Sequence, residues 1–339
     1  MAPLPPPRPI CVSAEGSWDH EAFRQSIVTR GFAILRLSPP AAAQIAAAAV
    51  AAESFFALST ADKERMRVLC QENAAGTAAH GTKGLVGFNR VSMAKEVFRL
   101  RRSRRRESND RAAVIATAVP PAAKRRRCHE SPALCSGEEA TIWPTESALP
   151  GFRNAVEGGW DVLEALVRQS VRATLGGEAY DEWMHQRGTM MTDQKWSASP
   201  LDLFYYPNDG PAASTTNCID HKDPGLMSAI PCAKIAGLMV RQHCSTNSSS
   251  SSSSSQWSGG PRWFDVEATP GCLHYRDIAV FPGVEMETLT AGAICATIHG
   301  VRKEVGAPRV SIVFELRSEV APDACSGGGN SSGGGGGDG

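Results

Sequence analysis

From about residue 196 to residue 317 the chain is written as short apolar runs separated by turn residues, and this pattern limits the fold more than any other feature. Leu201-Asp202-Leu203-Phe204-Tyr205-Tyr206 stops at Pro207, and Ile235 to Val240, Trp263-Phe264-Asp265-Val266, Ile278-Ala279-Val280-Phe281 and Val310 to Leu316 follow. β-Branched and aromatic runs of roughly four to eight residues between Gly and Pro read as strands. Several of them in series predict a β-sandwich or barrel. In the last strand, Val310, Ile312, Phe314 and Leu316 fall on one face, and Arg309, Ser311 and Val313 on the other.

The N-terminal half is helical in pattern. Asp19 to Thr29 carries an apolar stripe of Phe23, Ile27 and Val28, broken by Gly31, after which Phe32 to Leu37 reads as a buried strand. Ser38-Pro39-Pro40 opens a helix over 41–57, and Ser59-Thr60 caps another. Val156, Trp160, Leu163, Val167 and Val171 recur at helical spacing and predict a long helix over about 156–175. Five segments are expected: an N-terminal helix-and-strand region, 1–102; a basic insertion, 103–142; a helical middle section, 143–195; the strand-rich domain, 196–318, with a poly-Ser loop, 245–258; and a Gly-rich tail, 319–339. The basic segment buries too little apolar surface to offset its ordering entropy and, like the Gly-rich tail, is expected to be disordered, while the serine run is expected at a loop tip, where closure entropy grows slowly with length.

The 35 basic and 35 acidic residues cancel, so no global field draws the chain to nucleic acid or membranes. The ten cysteines include no C-x-x-C pair, which favours reduced thiols over a disulfide or zinc framework. The start MAPLPPPRP has no apolar segment of signal-peptide type, and the alanine run 41–52 is interrupted by Gln44. A cytoplasmic monomer is the expectation. The exception is the stretch 99–127, with eleven Lys/Arg against two acids, a candidate nuclear-import signal. It contains no aromatic residue, so base stacking on nucleic acid is unsupported.

His221-Lys222-Asp223 is the one H-x-[D/E] triplet in the chain. On a strand, residues i and i+2 share a face, so His221 and Asp223 can meet one ion while Lys222 points away. His299 closes the run Cys295-Ala296-Thr297-Ile298-His299, which also reads as a strand. Two imidazoles and a carboxylate suit iron(II) with open coordination positions. Arg309 and Ser311, on one face of the last strand, form a site for a carboxylate, because a guanidinium fork matches it bidentately.

These motifs resemble the iron- and 2-oxoglutarate-dependent dioxygenases of the isopenicillin N synthase-like superfamily. Gly31-Phe32-Ala33-Ile34, Phe55-Phe56-Ala57-Leu58-Ser59 with Lys63, Lys95-Glu96-Val97-Phe98, Trp143-Pro144 and Pro150-Gly151-Phe152-Arg153 are similar to the region before the catalytic domain. Tyr205-Tyr206-Pro207, His221 to Gly225, Gly237 to Arg241, Trp263 to Val266, Leu289 to Gly292, His299 and Arg309-x-Ser311 follow that domain in order. The resemblance implies an α+β fold, a double-stranded β-helix (jelly roll) core flanked by helices. It implies that His221, Asp223 and His299 hold Fe(2+), and that Arg309, Ser311 and Tyr206 hold 2-oxoglutarate. O2 and a small organic substrate, hydroxylated or desaturated with release of succinate and CO2, complete the reaction, with ascorbate a further candidate cofactor. Three positions depart from the family: Phe204 where Asn is usual, Val284 where an acid is frequent, and Gly300 where a basic residue is frequent. Two alternatives stand beside this reading: an iron oxidase of the same fold that does not consume 2-oxoglutarate, and a binding protein that kept the fold without catalysis.

Overall fold

The computed structural model describes residues 7–69, 85–92, 95–103, 143–189, 196–209, 215–242, 262–304 and 306–318. The expectations for the basic insertion beyond Ser103, for the poly-Ser loop and for the tail lie outside these residues.

Local signals set the helices. In α1, His20–Arg30, the Asp19 side chain accepts the Ala22 N–H, and Gly31, at φ 82°, ends the helix by donating to the Ile27 carbonyl. Helix α2, Pro39–Phe56, starts on two prolines, whose fixed φ suits a first turn. Ser59 caps the short α3, Thr60–Glu64. The long α4, Phe152–Leu175, begins a turn earlier than its stripe predicts. Two further helices are α5, Gly177–Thr189, and α6, Val284–Leu289. The alanines of α2 serve packing as well as propensity. A Cβ at Gly159 of α4 would stand 2.7 Å from Ala48 Cβ, so the two helices touch nearly backbone to backbone.

Thirteen strands are described: β1 Ile10–Cys11, β2 Ala33–Arg36, β3 Arg67–Leu69, β4 Leu85–Ser92, β5 Lys95–Ser103, β6 Trp196–Tyr206, β7 Thr216–His221, β8 Met227–Pro231, β9 Leu238–Arg241, β10 Trp263–Asp265, β11 Asp277–Pro282, β12 His299–Arg302 and β13 Arg309–Leu316. Nine form a sheet in the order β1-β2-β11-β8-β13-β6-β5-β4-β3, and four form a second, β10-β9-β12-β7. All pairings are antiparallel except β1 with β2. The architecture is therefore α+β, with the large sheet drawing strands from both halves of the chain.

Two cores flank that sheet. On one face Phe23, Ile45, Phe55, Val156, Trp160 and Leu163 from the helices pack on Leu35, Phe98, Leu203, Ile312 and Phe314. On the other, Phe32, Ile34, Ile230, Ala279 and Phe281 meet Leu238 and Val240 of the small sheet. The alternation read from β13 holds: Val310, Ile312, Phe314 and Leu316 join the helix-side core, and Val313 packs on the inter-sheet core. Arg309 and Ser311 thus belong to the space between the sheets.

Three local expectations need correction. Residues 295–298 are not a strand, and β12 begins at His299. The reason is anchoring: Thr297 is fully buried, its N–H donating to the Pro282 carbonyl and its hydroxyl to the Gly31 carbonyl. Asp223 lies two residues beyond the end of β7, in a turn. The basic run does not begin as solvated chain either. Arg99 and Arg102 lie on β5, where Arg99 pairs bidentately with Asp202 of β6 at 2.6 and 2.7 Å. Arg102 pairs with Asp161 and Glu164 of α4 and covers the Trp160 ring. These two arginines are ion-paired within the fold.

Removing one partner of a buried ion pair leaves the other charge uncompensated, typically at a cost of about 3–5 kcal/mol. Asp202→Ala is expected to destabilise the fold by roughly that amount, seen as a lower denaturant midpoint with unchanged slope. An unchanged midpoint would show that Arg99 finds other partners.

Candidate metal centre

Strand pairing places the two imidazoles. His299 lies opposite His221 in the β12–β7 register, and their ring centroids are 4.3 Å apart. The His221 Nδ1 sits 2.8 Å from the Ile219 carbonyl oxygen, and the His299 Nδ1 sits 3.4 Å from that of Thr297. An Nδ1–H donating to a carbonyl turns the opposite nitrogen, Nε2, toward the shared site, where it can bind a metal once it carries no proton.

Asp223 comes from the turn that follows β7. Its Oδ1 is 3.5 Å from His221 Nε2, and its Oδ2 is 3.7 Å from His299 Nε2. One ligand atom from each of the three residues lies within 4.8 Å of the others. The turn is held from below by α6, whose first N–H groups need acceptors. Val284 donates to the Asp223 carbonyl, and Glu285 to those of Pro224 and Gly225. A Cβ at Gly283 would stand 2.7 Å from the Asp223 carbonyl oxygen, so only glycine allows this contact. Lys222 pairs instead with Glu287 at 2.8 Å. Gly300 has a steric reason as well: a Cβ there would come within 2.8 Å of the Asp220 carboxylate and 3.0 Å of the Cys218 carbonyl.

Position and burial set the protonation of the three groups. Burial opposes charge on His221, but hydrogen bonds to Asp223 and Cys218 outweigh it and push its pKa up to about 10. Burial would raise Asp223, yet both imidazoles and the Ser228 hydroxyl hold it well below the usual carboxylate range. His299 is pushed down, chiefly by burial. Ser228, which is fully buried on β8, donates to Asp223 Oδ2 at 2.5 Å and fixes the carboxylate. Nothing in the sequence marked this serine. Two imidazoles and one oriented carboxylate are the donor set that suits iron(II).

Arg309 occupies the space between the sheets, 1 % exposed, but its charge is already met. Glu267, just past β10, accepts from Nη1 at 2.7 Å and from Nη2 at 2.9 Å. The same carboxylate accepts the N–H groups of Ala233, at 2.7 Å, and Leu238, at 2.9 Å. Nη1 also donates to the Ile235 carbonyl. The sequence reading looked to an external dicarboxylate for the anion that a buried arginine requires; the fold supplies Glu267. What remains is the second edge of the guanidinium, where Nε–H is buried without a partner. A guanidinium carries five N–H donors, and the fold leaves this one without a protein acceptor. Ser311, 3 % exposed, and Tyr206, 2 % exposed, line the same region, with Arg309 and Tyr206 opposite each other in the β13–β6 register. Burial, first among several causes, holds the Tyr206 phenol far above its ordinary pKa, so it stays a donor.

No family model matches the chain, and no curated protein matches it in sequence. Solved structures do match. A protein of Caulobacter crescentus assigned to the 2OG-Fe(II) oxygenase family superposes with a TM-score of 0.55 at 19% identity, over 88% of this chain and 81% of its own. A Neurospora crassa protein, solved in complex with alpha-KG and 5-formyluracil, gives 0.56 at 17% identity over 88% and 78%. The dioxygenase for auxin oxidation of rice gives 0.52 at 17% identity over 92% and 83%. The chain has the fold of the 2OG-Fe(II) oxygenases. At these identities the likeness establishes the fold alone.

Sequence reasoning reached the triad, Arg309, Ser311 and Tyr206, and the fold brings the three triad side chains together. It missed Ser228 and Glu267. A lone acid after an apolar strand, Trp263 to Val266, was the one available signal for Glu267. A groove lined by Ala47, Val50, Ala51, Leu149 and Phe152 lies against the helices, across the large sheet from the triad, and no titratable side chain lines it. Among the described residues no helix is long and apolar enough to cross a membrane.

Two measurements check the site. Ser228→Ala is expected to weaken binding of iron(II), or of cobalt(II) as a stable probe, about ten- to a hundredfold, because a supporting hydrogen bond to a metal ligand is lost. Equal titration curves would exclude a role for Ser228. Since His221 is protonated at neutral pH in the metal-free site and His299 is not, metal must displace about one proton. Affinity should therefore rise with pH, about tenfold per unit between about 7 and 9. A flat profile there would contradict the assignment.

Proposed function

We propose that this chain is an Fe(II)- and 2-oxoglutarate-dependent dioxygenase that oxidises a small organic molecule. We read its two sheets as a double-stranded β-helix. The observation that carries the reading is the convergence of His221, Asp223 and His299 in the inter-sheet space that also contains an arginine edge without a partner.

In this reading His221 and His299 bind iron(II) through Nε2 and Asp223 through its carboxylate. Ser228 keeps that carboxylate turned toward the imidazoles. The free edge of Arg309, with the hydroxyls of Ser311 and Tyr206, receives the distal carboxylate of 2-oxoglutarate. Glu267 fixes the guanidinium so that this edge alone is offered. The bound iron supplies the activation of O2 that is coupled to decarboxylation of the co-substrate. Phe281, packed 4.4 Å from the His299 ring, shields the inner side of the site from water. Hydroxylation is the default outcome, with desaturation on the same site.

One observation favours a second reading. Because Glu267 already neutralises Arg309, the clamp attracts a dianion less than a bare arginine would. An iron oxidase of this fold that does not consume 2-oxoglutarate would retain the triad and tolerate such a clamp. The two separate in one assay. Iron-loaded protein incubated with 2-oxoglutarate in air is expected to release succinate above a metal-free control. Asp223→Ala is expected to lower that release by at least about a hundredfold, as for loss of a metal ligand. Metal-loaded wild type that releases no succinate with a broad set of organic substrates would exclude the 2-oxoglutarate reading.

A further inference from the structure

Lys95, the first residue of β5, is not part of the site described so far. Its ammonium reaches across to β7, where it donates to the Cys218 thiol at 3.6 Å. It lies over the Phe204 ring at 4.2 Å from the centroid and 5.8 Å from that of Tyr206. No carboxylate pairs with it among the described residues, in contrast to Lys63 with Glu96 at 2.7 Å, Lys222 with Glu287 at 2.8 Å and Lys234 with Glu53 at 3.4 Å. A half-buried ammonium held by a thiol and two ring faces has lost water without gaining an anion, and ring faces replace an anion only in part. The place is specific. The Cys218 sulfur is 3.9 Å from His221 Nδ1, so one thiol separates the cation from a ring of the triad. Lys95 thus places a charged donor beside Tyr206 from β5, the strand next to β6 in the sheet.

We propose that Lys95 is a carboxylate-binding residue of this site, and that its ammonium receives a carboxylate of a molecule bound beside the triad. The placement of the site rests on the oxygenase reading; the recognition chemistry does not. The carboxylate has two sources: the 2-oxo acid co-substrate or the organic substrate itself. Its substrate class in the second case is a small organic acid, with Phe204 and Tyr206 offering ring faces to the acid's apolar part.

The test uses the full chain, loaded anaerobically with iron(II), as wild type, Lys95→Met and Lys95→Arg. Met preserves the apolar stem over Phe204 and removes only the charge. Probes are 2-oxoglutarate, followed by the charge-transfer absorption of its iron complex, and monocarboxylates from acetate to phenylacetate with their matching amides, followed by calorimetry. Loss of a charge-assisted hydrogen bond should weaken the carboxylate that Lys95 binds by roughly ten- to a hundredfold. Arg should restore most of it, and the amides should bind all three proteins alike. Weakened 2-oxoglutarate identifies the co-substrate as the source; weakened monocarboxylates alone identify the substrate. Monocarboxylates held through Lys95 by a wild type that does not bind 2-oxoglutarate would sink the co-substrate reading and leave this one standing. The proposal is overturned if no carboxylate discriminates wild type from Lys95→Met, or if acids and amides weaken together. Lys95→Gln replaces Met should the latter fail to fold.

Discussion

A single carboxylate, that of Glu267, ties together the parts on which the site depends. It accepts from Arg309 of the large sheet and from the backbone of Ala233 and Leu238, which flank the crossing from β8 into the small sheet. Both partners of the ion pair have no solvent exposure. In a medium of low polarity an unpaired guanidinium would be very costly, and so would a carboxylate without donors. With four donors the carboxylate satisfies both conditions and holds the two sheets at the separation the site requires. One edge of Arg309 is consumed by this pairing, and its Nε–H is left without a protein acceptor.

The three side chains of the candidate metal centre depend on a second set of contacts, mostly backbone. β7 and β12 align two histidines by register. Asp223 reaches them from a turn that docks onto the first turn of α6 and lies against Gly283. Strands thus carry the two histidines and a docked turn carries Asp223, whose carboxylate rotation is set by the Ser228 hydroxyl. Prior positioning of this kind keeps ligands close together while their charges are unbalanced by metal. It also accounts for the opposite protonation tendencies of the two histidines, one partly open beside Asp223 and one buried.

Much of the site was legible because its residues carry strong local constraints. H-x-D with a later histidine is a chemical pattern, and strict alternation in β13 told which side chains share a face. Element ends were less legible. His299 begins a strand instead of ending one, and one of the contacts that anchor Thr297 before it, the hydroxyl to the Gly31 carbonyl, joins residues 266 positions apart in sequence. Arg99 and Arg102 resembled solvated charge because their partners, Asp202, Asp161 and Glu164, come from segments after residue 160. Lys95 was visible as part of a motif, but no periodicity predicts that its ammonium crosses to β7.

Chain order was enough to indicate helices and strands in separate regions, the helix limits set by Asp19, Gly31 and Ser59, the inward face of the last strand, and His221 with Asp223 as a candidate pair of ligands. Each follows from chemistry within a few residues or from a side-chain period. Which anion meets Arg309, which hydroxyl steers Asp223 and which cation stands beside Tyr206 were fixed by packing in three dimensions. Those outcomes depend on burial and on pairing between distant strands, and the energy of a buried charge is set by neighbours that no stretch of sequence reveals.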